Sequence, residues 1–256
     1  MASVAQLSFP NQMHPHFFSY GTVIIYPIYF VQEMLRYASS IFHIEFTINL
    51  FLIGRLYSAL FSSLVIGLVY VITRMMLSWR WSMLAMAFVA VMPGLIQQAH
   101  FATPESMLTF FLFGTLFFAL RYSKQGKSTD LAIASVLVGI ALGIKIIAAF
   151  MLPTIAIAIL IRHVRPFHKI LLHGGISFLL TIATFITVAP YVFLDFNAWR
   201  SSTIYEGSLA TGNIAVFYTR QFIETAPILF QLERILPYAL GPVMLVFGLL
   251  GLLGVL

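Results

Sequence analysis

The chain has 256 residues, of which 61% are hydrophobic, 15% aromatic and only 9% charged, with a formal net charge of +6. A water-soluble domain carries about 25% charged residues, and 14 basic with 8 acidic side chains cannot cover a folded surface of this size in water. The composition excludes a cytosolic enzyme, a disordered chain and, despite the basic balance, a nucleic-acid binder; the mean hydropathy of +0.97 makes lipid the solvent for most of the chain.

The N-terminal stretch MASVAQLSFPNQMHPHFFSYG has neither the basic leader nor the unbroken apolar core of a signal peptide. His14 and His16 flank Pro15; they read as ligands or, more commonly for such a pair, as a polar lead-in to the membrane interface. Residues 21–38 are apolar but interrupted by Pro27 and crowded at one end by Gln32, Glu33 and Arg36. With Tyr26, Tyr29 and Tyr37 they predict an interfacial helix on the outer face, a short tilted span being the alternative. The apolar runs that follow are continuous rather than alternating, which argues against a β-barrel. Residues 48–73, 82–98, 105–121, 170–192 and 236–256 are each predicted to cross the bilayer.

The basic residues orient these helices. Arg74 with Arg80, then Arg121, Lys124 and Lys127, then Arg162, Arg165 and Lys169 form three loops that the positive-inside rule places in the cytoplasm. Asp130 joins them, whereas Glu33, Glu45, Glu105, Asp195, Glu206, Glu224 and Glu233 lie elsewhere. His163, His168 and His173 read as solvated companions of Arg162 and Lys169. Both flanks of 131–161 are then cytoplasmic, yet two full crossings need about 40 residues. Two short helices meeting near Gly143-Ile144-Lys145 solve this, provided that the tip is buried in protein or lines a wet cavity. A single span with one mis-sided loop is the alternative.

The outer loops carry the candidate chemistry. In AHFATPES (99–106), Thr103-Pro104-Glu105 has the pattern of a helix start: Thr as N-cap, Pro at the first helical position and an acid in the first turn. Glu105 then either complements the helix dipole or faces a surface cavity with His100, where the two could orient an acceptor, bind a metal or move a proton. Lys145 needs an anionic partner: an internal acid such as Glu105, headgroups reached by snorkelling, or a ligand phosphate. Arg55 lies about two turns into its helix, where snorkelling explains it as well as function does. Residues 193–235 form the longest non-spanning piece, aromatic rather than disorder-like, and Trp199, Tyr205, Phe217 and Tyr218 suit a loop on the bilayer surface. Arg220 in FYTRQF is a second candidate phosphate contact, a salt bridge to Glu224 being the alternative. The chain lacks cysteine, so no thiolate chemistry is available.

Taken in order, HPHFFSYGTVIIYPIYF, IGRLYSALFSSLVIGLVYVITR, QQAHFATPESMLTFFLFGTLFFAL, VGIALGIKIIAAFMLPTIAIAIL, DFNAWRSSTIYEGSLATGNIAVFYTRQF and LPYALGP resemble a membrane glycosyltransferase of the C-type fold. The resemblance is to the group of protein O-mannosyltransferases and aminoarabinose transferases, and runs from about His14 to Gly241; order and spacing carry it. It implies an all-α polytopic bundle of about six to eight membrane helices plus an outer interfacial helix. The single transmembrane domain would comprise an outer juxtamembrane segment (14–47), a helix bundle (48–192), an outer loop (193–235) and a last helix (236–256). It also implies a polyprenyl-phosphate-linked sugar as donor, an acceptor glycan, lipid or protein at the outer membrane face, and no nucleic acid; a divalent metal is compatible but not demanded. Glu105, with His100, is the implied catalytic residue, matching the family's second outer acidic position. Lys145 and Arg220, with Arg55 and Tyr218, are the implied substrate-binding residues. One departure stands out. The family's first outer acid, its principal base, should precede the HPHFF segment, and no Asp or Glu precedes Glu33, so the chain is expected to be a piece of a longer enzyme, inactive alone. A multi-pass transporter or lipid flippase is the rival reading, and a structural subunit a third; ionisable residues gathered at one rim and the lack of an internal repeat favour the enzyme.

Overall fold

The computed structural model describes residues 1–43, 49–163 and 165–254. Glu45, residue 48 at the start of the predicted 48–73 span, and residues 255–256 at the end of the 236–256 span lie outside these. Helices dominate and no strand occurs among the described residues. A short turn of helix, α1 (Ala2–Ala5), is followed by α2 (Thr22–Phe42), which continues through Pro27 and buries Ile24, Ile25, Ile28 and Tyr29 on one face. This is the helix predicted as interfacial, extended by four residues.

α3 (Leu50–Arg74) starts where the Asn49 side chain accepts from Phe51 N and Leu52 N at 2.9 and 3.3 Å. It ends with Arg74 donating to Leu77 O at 2.7 Å. The predicted 82–98 span is two helices, α4 (Trp79–Ala90) and α5 (Pro93–His100), bent by 52°. Pro93 has no N–H, and its ring would clash with the preceding turn. α6 (Glu105–Gln125) closes at Gly126, whose φ of 73° suits glycine. Its start differs from expectation by one residue: Pro104 takes the cap position, and the Thr103 hydroxyl donates to Gln98 Oε1 at 3.1 Å instead of capping.

α7 (Ser128–Ile144) and α8 (Leu152–Arg162) form the predicted hairpin. The 17 residues of α7 span about 25 Å, short of a full bilayer core. The helix stops at Lys145, whose backbone is extended, and a 3₁₀ turn over Ile146–Met151 leads back into α8. α9 (Phe167–Val188) returns alongside, followed by a single turn, α10 (Tyr191–Leu194). α7 is the centre of the bundle, packed between α6 and α9, with α3 on the far side of α6. Small and hydroxylated residues allow this closeness, as expected where lipid supplies no hydrophobic drive between helices. Ser135 and Ser177 share a 2.6 Å hydrogen bond, Thr181 donates to Ser135 O at 3.1 Å, and Ser62 donates to Ser106 at 2.8 Å.

The segment predicted as a surface loop, 193–235, instead contains the 15-residue helix α11 (Phe196–Ala210), capped by the Asp195 side chain on Ala198 N at 3.3 Å. A 3₁₀ turn (Arg220–Phe222), α12 (Pro227–Phe230), a π turn (Gln231–Ile235) and α13 (Leu236–Leu240) follow. The apolar run from 236 is not one straight helix. The segment ending at Leu240 and α14 (Pro242–Leu253) meet at 119°, because Gly241 adopts φ 81° and Pro242 starts a new helix.

α3, α6 and α9 are each long and apolar enough to cross a membrane, and their outer faces carry exposed Leu, Phe and Ile side chains such as Leu60, Phe178 and Leu179. The chain is a multi-pass, all-α membrane protein. The directions of α6 to α9 give the bundle two ends. Glu105, Lys145 and Val188 mark one, and Gly126, Arg162 and Phe167 the other.

Candidate active site

The first end is built around the hairpin tip. The Gly21 amide donates to Ile144 O at 2.9 Å, and a Cβ on Gly21 would lie inside the Gly143 carbonyl, so the backbones meet only because residue 21 is glycine; a Cβ on Gly143 would instead press on the Val188 and Val23 side chains. Thr22 Oγ1 donates to Val188 O next to this contact. The start of the tip is therefore clamped between the start of α2 and the end of α9, whereas Ile146, Ile147 and Phe150 of the 3₁₀ turn stay exposed.

This clamp fixes Lys145. Its Nζ donates to Glu105 Oε1 at 2.7 Å and lies 5.0 Å from the centroid of the Tyr20 ring. Both side chains of the pair are about 30% exposed, at 29% and 32%. Glu105 Oε2 is buried without a hydrogen-bond partner. Lys145 also lines a cavity of about 490 Å³, with Phe17, Phe18 and Ile146 among its apolar walls. Across this space stands α11, contributing Trp199, Thr203 and Glu206.

A smaller hollow of about 280 Å³ adjoins it through Phe17 and Phe18 and holds His14, His16 and Asp195. His14 Nδ1 accepts from the His16 amide at 3.0 Å, so the ring proton sits on Nε2, which donates to Asp195 Oδ2 at 3.2 Å. Burial, reinforced by nearby Tyr191, pushes the Tyr26 phenol up to about 12; it stays protonated and donates to Met13 O at 3.0 Å, holding the chain beside His14.

Of the residues singled out from sequence, the structure brings together Lys145 and Glu105. His100 does not join them: its ring donates back to Ile96 O at 2.7 Å, and it lines neither cavity. Arg55 is exposed on α3 and lines neither cavity. Arg220 and Tyr218 are exposed beyond α11, and among the described residues Arg220 has no ion pair with Glu224. Of the two histidines read as a polar lead-in, His14 is partly buried against Asp195 and His16 is exposed. At the opposite end His163 and His173 are not simply solvated; their rings stack at 4.6 Å, and His163 shares a 3.0 Å hydrogen bond with buried Tyr122. Asp130, grouped by sequence with the basic loops, is buried against Arg121 at 3.4 Å.

Among the described residues no three His, Asp or Glu side chains converge to hold a metal ion. His14 and Asp195 are two such groups, but both His14 nitrogens are already engaged.

The bundle thus carries at one end a mostly apolar cavity lined by one ammonium that a carboxylate holds in place. Residues 34–191 match the family of dolichyl-phosphate-mannose-protein mannosyltransferases, and the chain belongs to that family of membrane glycosyltransferases. The match includes Arg55, Glu105 and Lys145, and stops short of α11. No curated protein and no solved structure matches the chain.

Proposed function

We propose that the chain transfers a sugar from a polyprenyl-phosphate donor to a hydroxyl acceptor at the outer membrane face, the face that carries Lys145. The observation that carries this reading is Lys145 itself: a cation on a clamped tip, opening into a mostly apolar cavity. The polyprenyl chain suits the apolar walls and the surrounding lipid, and the phosphate suits the ammonium. An ammonium has three protons; one engages Glu105, leaving donors for a phosphate oxygen.

In the reaction the acceptor oxygen attacks the anomeric carbon. The bond from that carbon to the phosphate oxygen breaks, and the lipid phosphate leaves with the electron pair. Lys145 stabilises the charge that develops there. A phosphate that draws the ammonium toward itself frees Glu105 Oε1, which then receives the acceptor's proton. The family name makes mannose the first sugar to test.

The test uses reconstituted protein with polyprenyl-phosphate mannose, the bare polyprenyl phosphate and the corresponding polyprenol. Both phosphates should raise the unfolding temperature and the polyprenol should not. Equal stabilisation by the polyprenol would overturn the reading.

A further inference from the structure

The cavity has a second polar wall that the donor phosphate does not use. On α11, Trp199, Thr203 and Glu206 all line it. Their spacing of four and then three residues puts them on one helical face. Ile204 and Tyr205, exposed at 56% and 48%, lie off that face and do not line the cavity. Glu206 makes no hydrogen bond or ion pair among the described residues, so its carboxylate oxygens remain as free acceptors. Thr203 gives its proton to Trp199 O at 2.9 Å, which leaves its lone pairs free. The face thus offers a flat indole, a hydroxyl acceptor and a carboxylate.

These groups match one class of ligand. A pyranose has an apolar C–H face that stacks on an indole, and a rim of hydroxyls that donate to carboxylate and hydroxyl oxygens. A phosphate is the wrong partner for this wall, since Glu206 would repel it. We infer that the cavity face of α11, formed by Trp199, Thr203 and Glu206, is the sugar subsite, which holds a hexose by its hydroxyls while Lys145 holds the lipid phosphate. The inference rests on the donor reading above and assigns the half of the donor that Lys145 does not contact. It also gives α11 a specificity role: the carboxylate favours sugars with free hydroxyls on the side facing the helix, and disfavours anionic sugars.

Binding measurements on the intact protein in detergent separate the two halves of the donor. The ligands are bare polyprenyl phosphate, the same lipid phosphate carrying mannose, and the same lipid phosphate carrying glucuronate. The variants are Glu206→Gln, Trp199→Ala and Trp199→Phe. Glu206→Gln and Trp199→Ala should each weaken binding of the mannosyl lipid about tenfold, the loss expected for a charge-assisted hydrogen bond or a stacked ring. Their affinity for bare polyprenyl phosphate should equal the parent's, and Trp199→Phe should retain most of the mannosyl-lipid affinity. Glu206→Gln should also improve binding of the glucuronosyl lipid. Equal losses for the bare and mannosyl lipids, or no loss for either, would overturn the subsite while leaving the donor reading intact. A parent chain that binds neither lipid phosphate overturns the donor reading and the subsite with it. Unliganded unfolding temperatures within about 2 °C of the parent confirm that the variants fold.

Discussion

Replacing Lys145 with Met keeps the side chain's length and removes its charge, leaving Glu105 behind. Breaking a fully buried ion pair in this way costs about 3–5 kcal/mol, whereas an exposed pair is worth about 0–1 kcal/mol. With 29% and 32% of the two side chains exposed, the Lys145–Glu105 pair falls between these limits. The stranded carboxylate is in a poor position, because its Oε2 already has no partner and Oε1 would lose its 2.7 Å contact. The expected cost is about 2 kcal/mol, or roughly 4–8 °C in unfolding temperature for a chain of this length. Glu105→Gln should cost less, because the ammonium it frees lines the cavity and can reach water there. In the double variant no charge is stranded, so the two losses should not add, and the coupling should be about 1–2 kcal/mol. Thermal unfolding of the parent, both single variants and the double variant in one detergent measures this. Additive losses, or a Lys145→Met protein as stable as the parent, would refute the claim that Lys145 and Glu105 are coupled as an ion pair. In the same samples, polyprenyl phosphate should stabilise the parent and Glu105→Gln but not Lys145→Met.

Two further outcomes follow from the geometry. Gly21→Ala should destabilise the protein by roughly 1–3 kcal/mol through overpacking, since its Cβ would meet the Gly143 carbonyl. It should also weaken polyprenyl-phosphate binding by displacing Lys145, and undiminished binding by a variant of lowered stability would break the link between clamp and site. His163 is held below its ordinary range by desolvation first and then by His173, Lys169 and Arg162. Its unfolded form therefore binds a proton more readily, so the contribution to stability is complete above about pH 6.5 and is lost as pH falls toward the lower folded value. Unfolding temperatures should drop between pH 7.5 and 5.5, and His163→Gln should flatten that slope; an unchanged slope in the variant would assign the drop to other groups.

Much of the fold was legible because membrane insertion imposes simple arithmetic. The hairpin over 131–161 came from the charges on its flanks and a length too short for two full crossings, and the chain does turn at Lys145. Glu105 is among the anionic partners that the sequence offers Lys145, although sequence alone does not choose between an acid and a phosphate. The bends were less legible. Pro93 and the Gly241-Pro242 pair are helix breakers inside runs apolar enough to read as continuous, and hydropathy averaged over a window conceals them. α11 was hidden by its aromatic content, although Asp195 is a usable N-cap signal and Gly212, with φ 79°, marks the turn beyond its end. The His14–Asp195 contact joins residues 181 positions apart, and no local pattern encodes such a pairing. His100 stands apart from Glu105 for a local reason: a histidine near a helix end can satisfy itself on the carbonyl four residues back.

The order in which the chain is synthesised bears on the Lys145–Glu105 pair. Glu105 precedes Lys145 by 40 residues, so the carboxylate has left the ribosome and entered the bilayer with its helix before the lysine arrives. The lysine then meets a waiting counter-charge, which lowers the cost of bringing an ammonium into the membrane. The cavity has no such early start. Its lining runs from Phe17 to Ala210, so the floor exists once the hairpin is in place, but the wall that includes Trp199 and Glu206 is added only after a further fifty or so residues have emerged. A nascent protein therefore holds a neutralised tip long before it has an enclosed pocket in which that tip could meet a lipid.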